Sequence, residues 1–176
     1  VKTAWCSETK CEDEIKEDKI ETFYFKVKAS QDITPGDYNL PYIITYTNEN
    51  GEKGEKKGTI GVSVGAKTEL DYIVLTENPV IGQQGKLSLK IVNKGFADVK
   101  FVSVKIIPRG YTLLSGDQVY IGDIGSDDFE TATYDVIFNN KNAKIFGVLE
   151  YKDFDNNKVT ENIDLPVTVY TQEQAL

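Results

Sequence analysis

The chain has 176 residues, a formal charge of −8 from 20 basic and 28 acidic side chains, 40% hydrophobic residues and no His. Without imidazole there is no Ser-His triad and no His-ligated zinc, and two Cys cannot build a four-thiolate site. Residues 1–66 carry 9 basic and 12 acidic groups and the remainder 11 and 16, so neither part has the basic stripe that nucleic-acid phosphates or anionic membrane surfaces require.

Taken in chain order, the first feature is Cys6 with Cys11. Two cysteines so close together, with no others, suggest a small disulfide-closed hairpin in an oxidising compartment, free thiols being the alternative. Glu12-Asp13-Glu14 with Glu17-Asp18 reads as an exposed acidic loop. Phe23, Phe25, Val27 and Ala29 then alternate with Tyr24, Lys26 and Lys28, which predicts a strand with one apolar face. Leu40–Thr47 and Thr59–Val64 read as two more strands, and Gly65-Ala66-Lys67-Thr68 as a short hinge. Beyond it come seven predicted strands: Leu70–Thr76, Lys86–Asn93, Val99–Ile107, Val119–Ile124, Phe129–Phe138, Lys144–Lys152 and Val159–Val169. Seven short strands separated by turn residues in about a hundred residues are the pattern of an immunoglobulin-like sandwich. The Cys-Trp-Cys core of antibody domains is missing, so the likeness is architectural.

The two parts also repeat one another. Tyr46–Val64 (YTNENGEKGEKKGTIGVSV) aligns without a gap with Tyr151–Val169 (YKDFDNNKVTENIDLPVTV), and Ile20–Phe23 matches Phe129–Ala132. Each copy passes from an apolar run through an Asn/Asp/Gly turn into alternating apolar residues, Ile60, Val62 and Val64 in one and Leu165, Val167 and Val169 in the other. A repeat of this length is too long for a solenoid unit and fits two tandem copies of one β-domain. The expected fold is therefore all-β, with two tandem immunoglobulin-like β-sandwiches: residues 1–66 a partial, truncated domain with the Cys6–Cys11 hairpin, residues 67–176 a complete seven-stranded one. About sixty residues precede Phe129 in the second copy and only nineteen precede Ile20 in the first. Some three strands are thus expected to be missing from the first domain. Its apolar face would then need cover, from the second domain or a neighbouring molecule.

Asn78-Pro79-Val80, Gly82, Gly85 and the run Leu87 to Ala97 (LSLKIVNKGFA) resemble the opening of the cell-adhesion-related, CARDB-like modules. Ile33-Thr34-Pro35-Gly36-Asp37-Tyr38, with Leu40 and the run to Tyr46, resembles the second half of related modules, including one appended to some α-galactosidases. The resemblance implies an extracellular architectural module of the kind frequent in archaeal S-layer-type surface proteins, with no catalytic residue. Tyr38 is placed like a tyrosine corner, and the second copy has no Tyr in its Lys141–Lys144 counterpart.

Other candidate sites have simpler readings. Asp153, Asp155 and Asn157 fall at the first, third and fifth places of a calcium loop, but Lys158 stands where that loop needs Gly and Asp164 where it needs Glu. A polar hairpin turn explains them better. Asp117, Asp123, Asp127 and Asp128 could supply a carboxylate pair for glycoside hydrolysis, yet they read as solvated turn charges. Trp5, Tyr24, Tyr42, Tyr46, Tyr72, Tyr111, Tyr120, Tyr134 and Tyr151 could stack on sugars, although strands favour aromatics in any case.

The expected function is a non-catalytic extracellular structural, spacer or adhesion module of a larger cell-surface protein. Its partners would be neighbouring surface-protein domains or envelope components, with self-association through the first domain, no membrane insertion and no cofactor. A carbohydrate-binding accessory module of a secreted glycosidase and an extracytoplasmic docking domain of a membrane transport complex are the alternatives. The absence of an initiator Met, a signal peptide and any Asn-x-Ser/Thr sequon is read as a mature or trimmed ectodomain fragment without N-glycosylation. Abundant Ile, Lys and Glu with one Arg resemble hyperthermophile usage, an AT-rich genome being the alternative source.

Overall fold

The computed structural model describes residues 14–16, 18–30 and 32–175. The chain is all-β and divides into two compact units, Val1–Val64 and Gly65–Leu176. The first unit contains, among its described residues, an antiparallel pair of strands, β1 (Gly36–Thr47) and β2 (Lys53–Val64). The second holds β3 (Leu70–Glu77), β4 (Gln84–Asn93), β5 (Val99–Ile106), β6 (Tyr111–Leu113), β7 (Gln118–Ile124), β8 (Phe129–Phe138), β9 (Lys144–Lys152) and β10 (Lys158–Pro166), followed by a 3-10 turn at Gln172–Gln174.

These eight strands form two four-stranded sheets, ordered β3-β4-β8-β6 and β10-β9-β5-β7. In immunoglobulin terms the first is A-B-E-D and the second is G-F-C with β7 added beside C. The expected seven-strand count is therefore corrected to eight. The addition is β6, three residues whose pairing with Tyr111↔Phe138 to Leu113↔Val136 is set by tertiary packing and is too short for alternation to reveal. The expected strand ending at Val169 stops at Pro166, although the Val167 N–H donates to the Ala143 carbonyl at 2.9 Å. The chain still runs on in the core, with Val167 and Val169 buried.

Alternation explains the core directly. Leu87, Leu89 and Ile91 on β4, Val102, Val104 and Ile106 on β5, and Ala132, Tyr134, Val136 and Phe138 on β8 are all essentially inaccessible, as are Ile145 and Leu149 on β9. Tyr134 crosses between the sheets and donates its hydroxyl to the Val104 carbonyl at 2.9 Å. Gly147 is required by close approach, since a Cβ there would lie 2.1 Å from the Lys105 carbonyl oxygen.

The turn between β4 and β5 is organised by Asn93, the one polar side chain that is fully buried among the described residues. Its Nδ2 donates to the Ala97 and Ile124 carbonyls at 2.9 and 3.1 Å, and its Oδ1 accepts from the Gly95 N–H at 3.0 Å. The Asn-Lys-Gly sequence announces a turn; its burial shows only in three dimensions.

One strand expectation in the first unit is overturned. Residues 21–30 carry no ladder, and Tyr24, Phe25 and Val27 are exposed. The corresponding β8 is held between β4 and β6, and the described residues of the first unit supply no such neighbours. An alternating segment without a partner strand has no hydrogen bonds to make it β.

Replacing Asn93 with Ala removes the side-chain partner of two buried backbone groups, the Gly95 N–H and the Ile124 carbonyl, and of the half-buried Ala97 carbonyl. A buried group left unpaired costs about 1–3 kcal/mol. The expected loss is at least about 2 kcal/mol of unfolding free energy, read as a lower urea midpoint at unchanged m-value.

Candidate functional site

The two hairpins β1–β2 and β9–β10 are one structure built twice. Thr47 faces Lys53 and Lys152 faces Lys158, so the pairing register is identical after the shift that takes Tyr46 to Tyr151, 105 positions. Their turns match in their backbone hydrogen bonds. Asn48 N–H donates to Glu52 O at 2.8 Å and Gly51 N–H to Asn48 O at 3.0 Å; Asp153 N–H donates to Asn157 O and Asn156 N–H to Asp153 O, both at 3.0 Å. The residue with positive φ is Gly51 in one (78°) and Asn156 in the other (64°), the two residue types that tolerate that conformation best.

The faces match by compensation. In the second hairpin Ile163 lies opposite Gly147, and in the first Gly58 lies opposite Tyr42. The large residue has changed strands while the pair keeps one bulky and one bare position. The Tyr42 ring fills the space over Gly58 and the Tyr46 ring the space over Gly54, each within 2.4 Å of where a Cβ would stand. Tyr38 donates its hydroxyl to the Thr34 carbonyl, closing a tyrosine corner at the start of β1; Ala143 holds that place before β9, buried.

The surroundings differ. The inner side of β9–β10 is closed: Ile145, Leu149, Tyr151 and Ile163 belong to the core. The aligned side of β1–β2 is open, with Leu40, Tyr42, Ile44 and Ile60 at 38%, 40%, 52% and 56% exposure. Ile43, on the opposite side, is also exposed. A two-stranded ribbon with bare apolar residues is marginal alone in water. This open face is the candidate site.

A charged position sits at its centre. In the second unit Glu161 accepts hydrogen bonds from Tyr72 of β3 at 2.5 Å and Tyr151 of β9 at 2.6 Å, tying the A-strand edge of one sheet to the F–G hairpin of the other. Burial, and then the Glu161 carboxylate, hold both phenols well above their ordinary range. In the aligned hairpin Tyr46 occupies the place of Tyr151 and Lys56 that of Glu161. Lys56 faces Ile44 across the ladder, on the side that carries Tyr42 and Tyr46. Sequence reasoning passed over Glu161 and Lys56, although the gapless alignment put them side by side.

Four of the other expected carboxylates, Asp117, Asp123, Asp128 and Asp153, have structural partners. Asp153 accepts from the Asn157 N–H at 2.8 Å and from Asn157 Nδ2 at 3.3 Å, and Asp155 is an exposed turn residue. Asp123 accepts from the Phe101 N–H at 3.0 Å, Asp128 accepts from the Phe129 N–H at 2.8 Å, Asp127 takes a positive φ, and Asp117 pairs with Lys105 at 3.7 Å. No group of three His, Cys, Asp or Glu with metal-holding geometry occurs among the described residues. Tyr111, Tyr134 and Tyr151 are core residues, while Tyr24 and Tyr120 are exposed. Cys6, Cys11 and Trp5 lie outside the described residues, as do Glu12, Asp13 and Glu17. No helix among the described residues is long and apolar enough to cross a membrane.

A residue missed from sequence is Phe101. It stands at a bulge in β5 with φ of 57° and is 55% exposed. Lys152 lies 5.5 Å from that ring, and Ser103, Lys105, Gln118, Val148 and Glu150 line a shallow depression of about 240 Å³ on the same sheet.

No protein-family model matches the chain. An uncharacterised protein of the archaeon Methanocaldococcus jannaschii, MJ1561, is 26% identical over 116 residues, which is 64% of this chain and 21% of that protein. The match thus spans about a fifth of the relative's length. Among solved structures, the X-ray structure of a structural-genomics target designated SoR45 is similar with 12% identity and a TM-score of 0.36, covering 62% of this chain and 88% of that one. A likeness at that level carries no functional argument.

The buried phenols make stability depend on alkaline pH. Burial pushes Tyr111 up to about 12, and it raises Tyr72, Tyr134 and Tyr151 as well. A folded-state pKa above the unfolded value of about 10 means full stability below pH 10 and progressive loss as pH rises toward the folded value. Urea midpoints should therefore fall steadily above about pH 10, and Tyr72→Phe should make that fall shallower. A midpoint flat to pH 12 would contradict the burial of these hydroxyls.

Proposed function

We propose that this chain is a non-catalytic structural or adhesive module of a larger cell-surface protein, built from tandem immunoglobulin-like units of the CARDB-like, S-layer-associated kind. The observation that carries the reading is the duplicated hairpin. One F–G pair is closed into a sandwich core and the other leaves the same face exposed, and an exposed apolar face of this kind marks a contact surface. The chemistry of the described residues agrees with it. Asp117, Asp123, Asp128 and Asp153 serve as backbone acceptors or an ion-pair partner, and Glu161 is occupied by two tyrosine hydroxyls. The family resemblance and the spacing of Cys6 and Cys11 support an extracellular location. Neighbouring envelope proteins are the partners in this reading, and no cofactor or metal takes part.

The test is a broad hydrolase screen on the purified chain together with intact-mass analysis after alkylation without reductant. The expected results are no turnover and no alkyl addition at Cys6 or Cys11. Turnover abolished by Asp123→Asn or Asp127→Asn would overturn the non-catalytic reading, and two alkyl additions would overturn the disulfide.

A second reading, a carbohydrate-binding module, is favoured by one observation: Phe101 and Tyr120 project from the sheet that bears the shallow depression. Sugar rings stack on such exposed aromatics. A glycan array decides between the two. The spacer reading expects no binding at millimolar sugar, and binding lost in Phe101→Ala would establish the other.

A further inference from the structure

We propose that the inner face of the β1–β2 hairpin is a docking surface for another polypeptide, whose sheet lays apolar side chains on Leu40, Tyr42, Ile44 and Ile60 and one carboxylate on Lys56. The inference rests on the structural-module reading and names the chemistry of the partner.

The repeat provides the template. Over β9–β10 the same face is covered by the A-B-E-D sheet, and the polar contact in that cover is the Tyr72 hydroxyl to Glu161. Over β1–β2 the matching position is Lys56, so the group that meets it must be an acceptor, and one with negative charge gives the strongest pairing. Lys56 makes no ion pair among the described residues; the nearby pair is Lys57 with Glu55 at 2.7 Å. The face around it consists of flat tyrosine rings and aliphatic residues, an arrangement suited to a desolvated, charge-assisted contact at the centre of an apolar patch.

Two other occupancies fit worse. A second copy of this hairpin, stacked face to face, would bring Leu40, Tyr42, Ile44, Tyr46, Ile60 and another Lys56, but no acid. Strand addition along the β1 edge, as β5 adds to β9, meets a different obstacle. The Lys105 carbonyl comes within 2.1 Å of where a Gly147 Cβ would be, and Tyr42 stands at the matching position with a full side chain. Docking on the face avoids both obstacles.

The probe is a synthetic peptide of this chain's own β3–β4 segment, Leu70–Asn93, carrying Tyr72→Glu, added to the full-length protein. The readout is amide hydrogen exchange resolved to residues 38–46 and 54–62. The expected result is slowed exchange in both stretches, weakened about tenfold in Lys56→Glu and recovered there by the peptide carrying Tyr72→Lys. Ile60→Asp, on the same face, should abolish the effect with either peptide. Three results would overturn the proposal: no added protection at millimolar peptide, protection indifferent to the sign of residue 56, or a peptide-free dimer that already protects this face. None of them bears on whether the module is catalytic, so failure here is distinguishable from failure of the broader reading.

Discussion

An apolar sheet face has to be covered, and that constraint governs both units of this protein. In the second unit the inner faces of two four-stranded sheets cover one another, and the alternation of Leu87, Leu89 and Ile91 with their outward neighbours is the sequence record of it. Everything else in that unit serves the closure. Asn93 turns the chain without leaving a buried polar atom unpaired, Gly147 lets β5 and β9 approach, and Glu161 with its two tyrosines fastens one sheet edge to the other. In the first unit the same hairpin exists with its face open. A surface of that kind invites a partner.

The internal comparison shows which features belong to the hairpin and which to its setting. Register, turn hydrogen bonds and the place of the positive-φ residue are shared by both copies, so they are dictated locally. The large-for-small exchange at Tyr42/Gly58 and Gly147/Ile163 keeps one bulky and one bare position in a cross-strand pair while moving the bulk between strands, as expected where such pairs are the unit of sheet stabilisation. The reversal from Glu161 to Lys56 is different in kind. Glu161 accepts from Tyr151 within its own hairpin and from Tyr72 of the facing sheet, whereas Lys56, beside Tyr46, makes no ion pair among the described residues. The proposed docking surface takes its charge preference from that difference.

Most of the second unit could be read from the chain. The alternation on β4, β5 and β8 located strands to within a residue or two because each buries one full face. The gapless repeat identified the hairpin pair because register depends on turn length, and the turns are equally long. What escaped reading depended on contacts distant in sequence. Tyr111–Leu113 is a strand only because β8 lies beside it, and Glu161 joins the two sheets only because Tyr72, 89 positions away, reaches it. Phe23–Ala29 shows the converse: its pattern is that of a strand, yet pattern alone cannot supply neighbours.

The open face and the proposed docking surface both depend on β1–β2 and β9–β10 being the same hairpin in the same register. Cross-strand proton contacts in a nuclear Overhauser spectrum of the full chain measure this directly. Contacts should pair Tyr42 with Gly58 and Ile44 with Lys56, alongside Gly147 with Ile163 and Leu149 with Glu161. A first hairpin displaced by even one residue would turn Lys56 and the tyrosines to opposite faces, and would contradict both the repeat and the docking surface drawn from it.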